Sequence, residues 1–127
     1  MATVALTAEN FDEVTHQDGI VLVDFWAAWC SPCLRFAPTY ERSSEKHPDI
    51  TFGKVDTEDQ PALAGAARIT SIPTLMAFKG STLVFSQPGA LPAAALEQVI
   101  AAVREVDVEA LRAEAARQEA RQAQAGR

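Results

Sequence analysis

Apolar residues along this chain change spacing from one segment to the next, and the changes mark its elements. Ile20 to Trp26 is a continuous apolar run broken only by Asp24. Its β-branched and aromatic content predicts a strand covered on both faces. Before it, Thr3 to Leu6 reads as a short strand. Thr7 is placed to cap a helix running to about Gln17, with Phe11 and Val14 on one face. Asp18-Gly19 makes a turn. A helix opens at Cys30 and extends to Lys46, kinked where Pro38 lacks a backbone donor. His47-Pro48-Asp49 ends it. Ile50 to Asp56 is the next strand, and Glu58 to Ala67 a short helix with Pro61 near its first turn. Thr74 to Phe78 and Thr82 to Ser86 read as two strands joined at Lys79-Gly80-Ser81. Pro92 to Val106 is a helix that buries Leu96, Val99, Ile100 and Val103.

The order is β-α-β-α-β-α-β-β-α. Early alternation implies parallel strands with right-handed crossovers, and the hairpin adds antiparallel pairing. The expected class is α/β, a mixed sheet of four or five strands with helices on both faces. A chain of 127 residues suits one core. That core domain is expected to span 1–106. The remainder, 107–127, is rich in Ala, Arg and Glu and has high helix propensity, with Glu109–Arg112 and Glu114–Arg117 as favourable pairs. Only Val108 and Leu111 could anchor it, so a solvated, fraying helix or flexible tail is expected, with a partner-docking arm as the alternative.

Charge narrows the function classes. The net charge of −6 lies within residues 1–106, because the four acidic residues beyond are balanced by Arg112, Arg117, Arg121 and Arg127. An acidic domain is a poor match for nucleic acid. No apolar run is long enough to span a bilayer. Met1 to Asn10 has neither a basic segment nor a long apolar one, so no signal peptide is expected, and the cytoplasm is the expected compartment.

The chain has two cysteines, Cys30 and Cys33, at the strand-to-helix junction. A disulfide between them would close almost no loop and would be a poor staple. Its chemistry is the more informative property. The spacing puts two sulfurs within one helical turn. Cys30 falls at the helix N-terminus, where free N–H groups and the dipole favour a thiolate, the reactive form. Cys33 should be buried a turn deeper, and Pro32 should stiffen the first turn. Trp29 precedes an exposed nucleophile and is expected to line the site, whereas Trp26 is expected to pack. Asp24 sits in a strand covered on both faces, which raises a carboxyl pKa unless the group is paired. It is read as a proton acceptor, with a hydrogen-bonded structural role as the alternative. His16 and His47 are 31 residues apart, far from zinc-finger spacing, so no metal site is expected.

Asp24-Phe25-Trp26-Ala27-Ala28-Trp29-Cys30-Ser31-Pro32-Cys33 resembles the active-site segment of the thioredoxin family. The resemblance extends over residues 3–106 and includes Lys54-Val55-Asp56, Ser71-Ile72-Pro73-Thr74 and Gly89-Ala90-Leu91. It implies a thiol–disulfide oxidoreductase that reduces protein disulfides, with Cys30 attacking and Cys33 resolving. It further implies that Asp24 manages the Cys33 proton, that Lys54 pairs electrostatically near Asp24, and that Pro73 is cis and faces the disulfide. Sequence alone would favour trans at Pro73. By the same resemblance Trp29, Ser31, Pro32, Ile72, Gly89 and Ala90 contact substrate, with the Ile72 backbone pairing to an extended segment. No bound cofactor is implied. Electrons would come from NADPH through a flavin-containing thioredoxin reductase, the clients would be disulfide-containing proteins, and the protein is expected to be a monomer.

The chain departs from the family where Ser31 replaces the usual glycine, where Leu34 replaces the common basic residue, and at Pro88 before Gly89. Ser31 is expected to change the potential modestly through a hydrogen bond to a sulfur or a backbone amide. Two other readings stay open: an oxidant or isomerase of secreted proteins, and a binding module whose redox activity is incidental.

Overall fold

The computed structural model describes residues 2–126. Strand β2 (Ile20–Trp26) takes the bounds that its apolar run predicts and lies at the centre of the sheet. On one side it pairs in parallel with β3 (Thr51–Asp56), which in turn pairs in parallel with β1 (Thr3–Ala5). On the other side it pairs antiparallel with β4 (Thr74–Lys79), which forms the hairpin with β5 (Thr82–Pro88). The result is a mixed five-stranded sheet of order β1-β3-β2-β4-β5.

Strand alternation divides the core into two faces. One holds Leu22, Phe52, Leu75 and Ala77 beneath α2 (Ser31–Lys46) and α4 (Ala93–Glu105), which contribute Phe36, Tyr40, Leu96, Ile100 and Val103. The other holds Val21, Val23, Phe25, Val55 and Met76, with Phe11, Val14 and Leu63 packed over it from α1 (Phe11–Thr15) and α3 (Pro61–Ala66). Each large apolar side chain buried in this way contributes about 1.5–3 kcal/mol. Asp24 shares the parity of Ile20 and Leu22, so it projects toward α2 and α4. Gly53 points the other way, and the Leu6 side chain fills the place where its Cβ would be.

Two helices are shorter than the sequence predicts. Thr7 does not cap α1 directly. Its amide donates to Asn10 Oδ1 at 2.7 Å, and this local turn delays the helix to Phe11. Before α3, Asp56 Oδ1 accepts from the amides of Glu58 and Asp59 at 3.0 and 3.4 Å, holding them in a turn so that the helix starts at Pro61. Helix α2 continues through Pro38 to Lys46.

Beyond α4 the chain forms α5 (Val108–Ala125), capped by Asp107, whose side chain accepts from the Ala110 amide at 3.0 Å. None of its residues is buried. The hairpin holds its base. The Lys79 ammonium donates to the carbonyls of Val103, Arg104 and Val106 at 3.0, 2.6 and 2.9 Å. Arg112 donates to Thr82 Oγ1 and to the Gly80 carbonyl.

Candidate active site

The site forms where β2 gives way to α2. After Trp26 the chain turns through Ala27 to Trp29, and the Cys30 amide donates to the Ala27 carbonyl at 3.2 Å. Cys30 takes an extended conformation and occupies the N-cap position of α2, with Pro32 in the first turn. The Cys33 amide donates to Cys30 Sγ at 3.2 Å. This N–H is one of those that a helix leaves unpaired at its start. The two cysteines are joined in a disulfide with their Cα atoms 5.2 Å apart.

Cys30 was expected to be exposed. In this oxidised form it is only 4% accessible and Cys33 1%. The bond to Cys33 and packing against Ala27, Trp26 and Ile72 cover it. The two sulfurs still differ in position, because Cys30 lines an open groove and Cys33 does not.

That groove has a volume of about 520 Å³. Trp29, Cys30, Ser31 and Pro32 line it together with Thr57, Ala64 and Ile69 to Ile72. Trp29 is 68% exposed, and its indole N–H donates to Glu58 Oε1 at 2.5 Å. Opposite the sulfurs, the Ile72–Pro73 peptide is cis. The Ile72 carbonyl oxygen lies 3.7 Å from Cys30 Sγ. The Pro73 carbonyl accepts from the Gly89 amide at 2.8 Å, which ties the end of β5 to this loop. Gly89 has φ of 108°, a left-handed conformation that disfavours a side chain.

Five of the residues singled out in the sequence, Trp29, Cys30, Ser31, Pro32 and Ile72, therefore share one groove. Pro73 is buried behind it. Gly89 reaches it through Pro73, and Ala90 is exposed off its walls. The Ser31 hydroxyl makes no hydrogen bond among the described residues, so it touches neither sulfur in the way the sequence suggested. Thr57, Glu58 and the 69–71 segment were not legible as site residues. The turn that Asp56 caps brings Glu58 to the indole, and a lone acidic residue in a polar stretch gives no sign of that.

Asp24 lies beneath the site. It is 1% exposed, and neither carboxyl oxygen has a hydrogen-bond partner among the described residues. Burial pushes its pKa up from 3.8 to about 7, with the positive charge of Lys54 acting in the opposite direction. Lys54 is its register partner on β3, and the ammonium stands 4.6 Å from the centroid of the Trp26 ring. A carboxyl of this kind can accept and return a proton near neutral pH.

The histidines lie elsewhere. His16 Nδ1 is 2.6 Å from the Asp12 carbonyl oxygen at the end of α1, and His47 sits between Glu97 and Arg104. The described residues contain no group of three or more His, Cys, Asp or Glu arranged to hold a metal ion.

Known proteins are similar to this chain in sequence and in fold. The thioredoxin family model matches residues 2–102. A thioredoxin 2 of Streptomyces coelicolor is 54% identical over 125 residues, spanning 98% of this chain and 91% of that protein. A thioredoxin of Alicyclobacillus acidocaldarius is 43% identical over 103 residues, spanning 80% of this chain and 98% of its own. A solved Plasmodium falciparum thioredoxin superposes with a TM-score of 0.70 at 37% identity, covering 76% of this chain and 94% of that one.

Proposed function

Because this chain belongs to the thioredoxin family, we propose that it reduces disulfides in client proteins by dithiol exchange through Cys30 and Cys33. The general activity is that of the family, a thiol–disulfide oxidoreductase with a redox-active disulfide and no bound cofactor. The observation that carries the specific reading is the Cys30–Cys33 bond at the start of α2, beside an open groove and the Ile72–Pro73 loop.

Reduction frees Cys30 at a helix N-terminus, where the Cys33 amide and the helix dipole stabilise its thiolate. That thiolate attacks one sulfur of the client disulfide. The client S–S bond breaks, one client sulfur leaves as a thiolate, and a mixed disulfide joins Cys30 to the client. Cys33 then attacks Cys30 Sγ. Its proton passes to Asp24, the second client sulfur leaves, and the Cys30–Cys33 disulfide re-forms. Two electrons move from the dithiol to the client, and the client ends as a dithiol. Lys54 moderates the proton affinity of Asp24. Trp29, Ser31 and Pro32 contact the client on one side, and the Ile72 backbone pairs with its extended segment on the other. Pro73 shapes that loop, and Gly89 and Ala90 flank the approach.

Recharging the dithiol takes a two-electron donor. We assign that role to NADPH acting through a flavin-containing thioredoxin reductase, and we place the protein in the cytoplasm as a monomer. Among the described residues no helix is long and apolar enough to cross a membrane. Residues 1–106 would form the catalytic domain and 107–127 an accessory extension.

The test is reduction of a model protein disulfide by NADPH and a thioredoxin reductase. Wild type should turn over, and Cys30→Ser should not. Client function that survives Cys30→Ser in full would favour a binding module instead. Equilibration with glutathione separates the two redox directions. A potential of about −270 mV, the figure established for thioredoxin itself, marks a reductase, and about −120 mV marks an oxidant.

A further inference from the structure

Helix α3 ends in an arrangement that glycine usually completes. The Arg68 amide donates to the Gly65 carbonyl at 3.0 Å, and the Ile69 amide donates to the Ala64 carbonyl at 3.1 Å. This pair of bonds needs a left-handed residue where the chain leaves the helix, and glycine adopts that conformation without strain. Here the residue is Arg68, with φ of 58°. The chain thus keeps an exposed cation at a position that strains its backbone.

Arg68 borders a small polar cleft of about 120 Å³ between the exit of α3 and the strands β4 and β5. Thr70 and Ser71 come from the same segment as Arg68, Thr74 from β4, and Ser86 and Pro88 from β5. The Thr74 hydroxyl donates to the Ser71 carbonyl at 2.6 Å. Thr70, Ser71 and Ser86 are exposed, and their hydroxyls make no hydrogen bond among the described residues. The Arg68 guanidinium makes no ion pair among the described residues. Asp12 borders an adjoining cavity with Arg68 and is not paired with it. The cleft itself has no acidic residue on its border. A guanidinium with three uncommitted hydroxyls is a donor set suited to a carboxylate.

The segment from Ile69 to Ser71 borders both this cleft and the groove beside Cys30. No residue lining the groove is charged. The chain as a whole carries a net charge of −6, which repels acidic clients at long range. Arg68 supplies a local exception next to the groove. We propose that Arg68 is a specificity-determining residue for disulfide exchange: its guanidinium, with the hydroxyls of Thr70, Ser71 and Ser86, receives an Asp or Glu side chain of a client lying in the groove. The inference rests on the exchange reading above. The carboxylate binds without covalent change, a few residues along the client from its reacting cysteine. A cation at the end of a helix also complements the helix dipole, and that role is indifferent to the client.

The experiment separates the two roles. The probes are short Gly/Ser peptides whose central cysteine is a thiopyridyl disulfide, carrying either Asp or Asn at one position that is moved in turn along the peptide. The reduced full-length protein is mixed with each peptide, and thiopyridone release gives the second-order rate constant. The Asp-to-Asn rate ratio cancels any change common to both peptides. At one or two positions this ratio should fall by about two- to five-fold from wild type to Arg68→Gly, the range of an exposed ion pair. Glycine suits the left-handed conformation, so this variant keeps the fold. Arg68→Lys, which keeps the charge, should retain most of the wild-type ratio. The difference between wild type and Arg68→Gly should vanish in about 1 M salt, where the screening length is about 3 Å. Equal ratios in wild type and Arg68→Gly at every position would overturn the proposal, as would a difference that salt leaves unchanged. A wild type that reacts with neither member of any pair would overturn the exchange reading, and this inference with it.

Discussion

Asp24 and Lys54 are register partners across β2 and β3, yet the lysine ammonium stands over the Trp26 ring instead of closing an ion pair with the carboxyl. The carboxyl is left buried and without a hydrogen-bond partner among the described residues. Desolvation then outweighs the attraction to Lys54, and the pKa rises to about 7.

This arrangement costs stability, and the cost depends on pH. The folded chain holds the Asp24 proton up to about pH 7, whereas the unfolded chain releases it near 3.8. The native state thus binds more protons between these values, so Asp24 lowers stability progressively as pH rises through that window. The full interval corresponds to about 4 kcal/mol. Denaturant unfolding of wild type and Asp24→Asn at pH 4 and pH 8 reads the effect directly. The variant should gain several kcal/mol on wild type between those two values. An equal stability difference at both would show that the carboxyl is ionised throughout.

Ser31 gives a sharper expectation in the structure than it did in the sequence. Its exposed hydroxyl contacts neither sulfur, so Ser31→Gly should leave the reduction potential within about 15 mV of wild type, about half the 30 mV that corresponds to 1.4 kcal/mol. Glutathione equilibration of both proteins measures this. A larger shift would mean that the hydroxyl engages a sulfur in the reduced state.

Removing residues 107–127 should leave disulfide reduction unchanged. Helix α5 buries no residue, and its hydrogen bonds to the hairpin through Arg112 are exposed. Exposed polar contacts of this kind are worth about 1 kcal/mol or less, so the truncated chain should unfold within about that margin of wild type. Turnover assays and denaturant curves on the two chains check both points. A large loss of activity would give the extension a part in client or reductase binding.

The parts of this fold that were legible in the sequence are those set by local pattern. Strand β2 was read to the residue because burial on both faces replaces alternation with a continuous apolar run. Helices α1 and α3 were read too long, because Asn10 and Asp56 capture backbone amides in turns that helical periodicity does not reveal. The cysteine pair was legible because its geometry spans one helical turn. The roles of Asp24, Lys54 and Pro73 came into view through resemblance to a family. Pairing between distant strands brings the first two together, and periodicity carries no trace of that pairing. The contacts of Trp29 with Glu58 and of the Tyr40 hydroxyl with the Gly53 carbonyl were illegible for the same reason. Tyr40 in particular looks like any aromatic residue on the buried face of a helix until the carbonyl at its far end is located.

The central claim is that Cys30 forms a thiolate readily because of its place at the start of α2. Alkylation of the reduced protein with iodoacetamide across pH, with the modified residue identified by mass spectrometry, tests it most directly. The account predicts that Cys30 alone reacts at neutral pH, with a rate that titrates well below the ordinary thiol value of about 8.5. A rate titrating at or above that value, or modification at Cys33 in preference to Cys30, would contradict it.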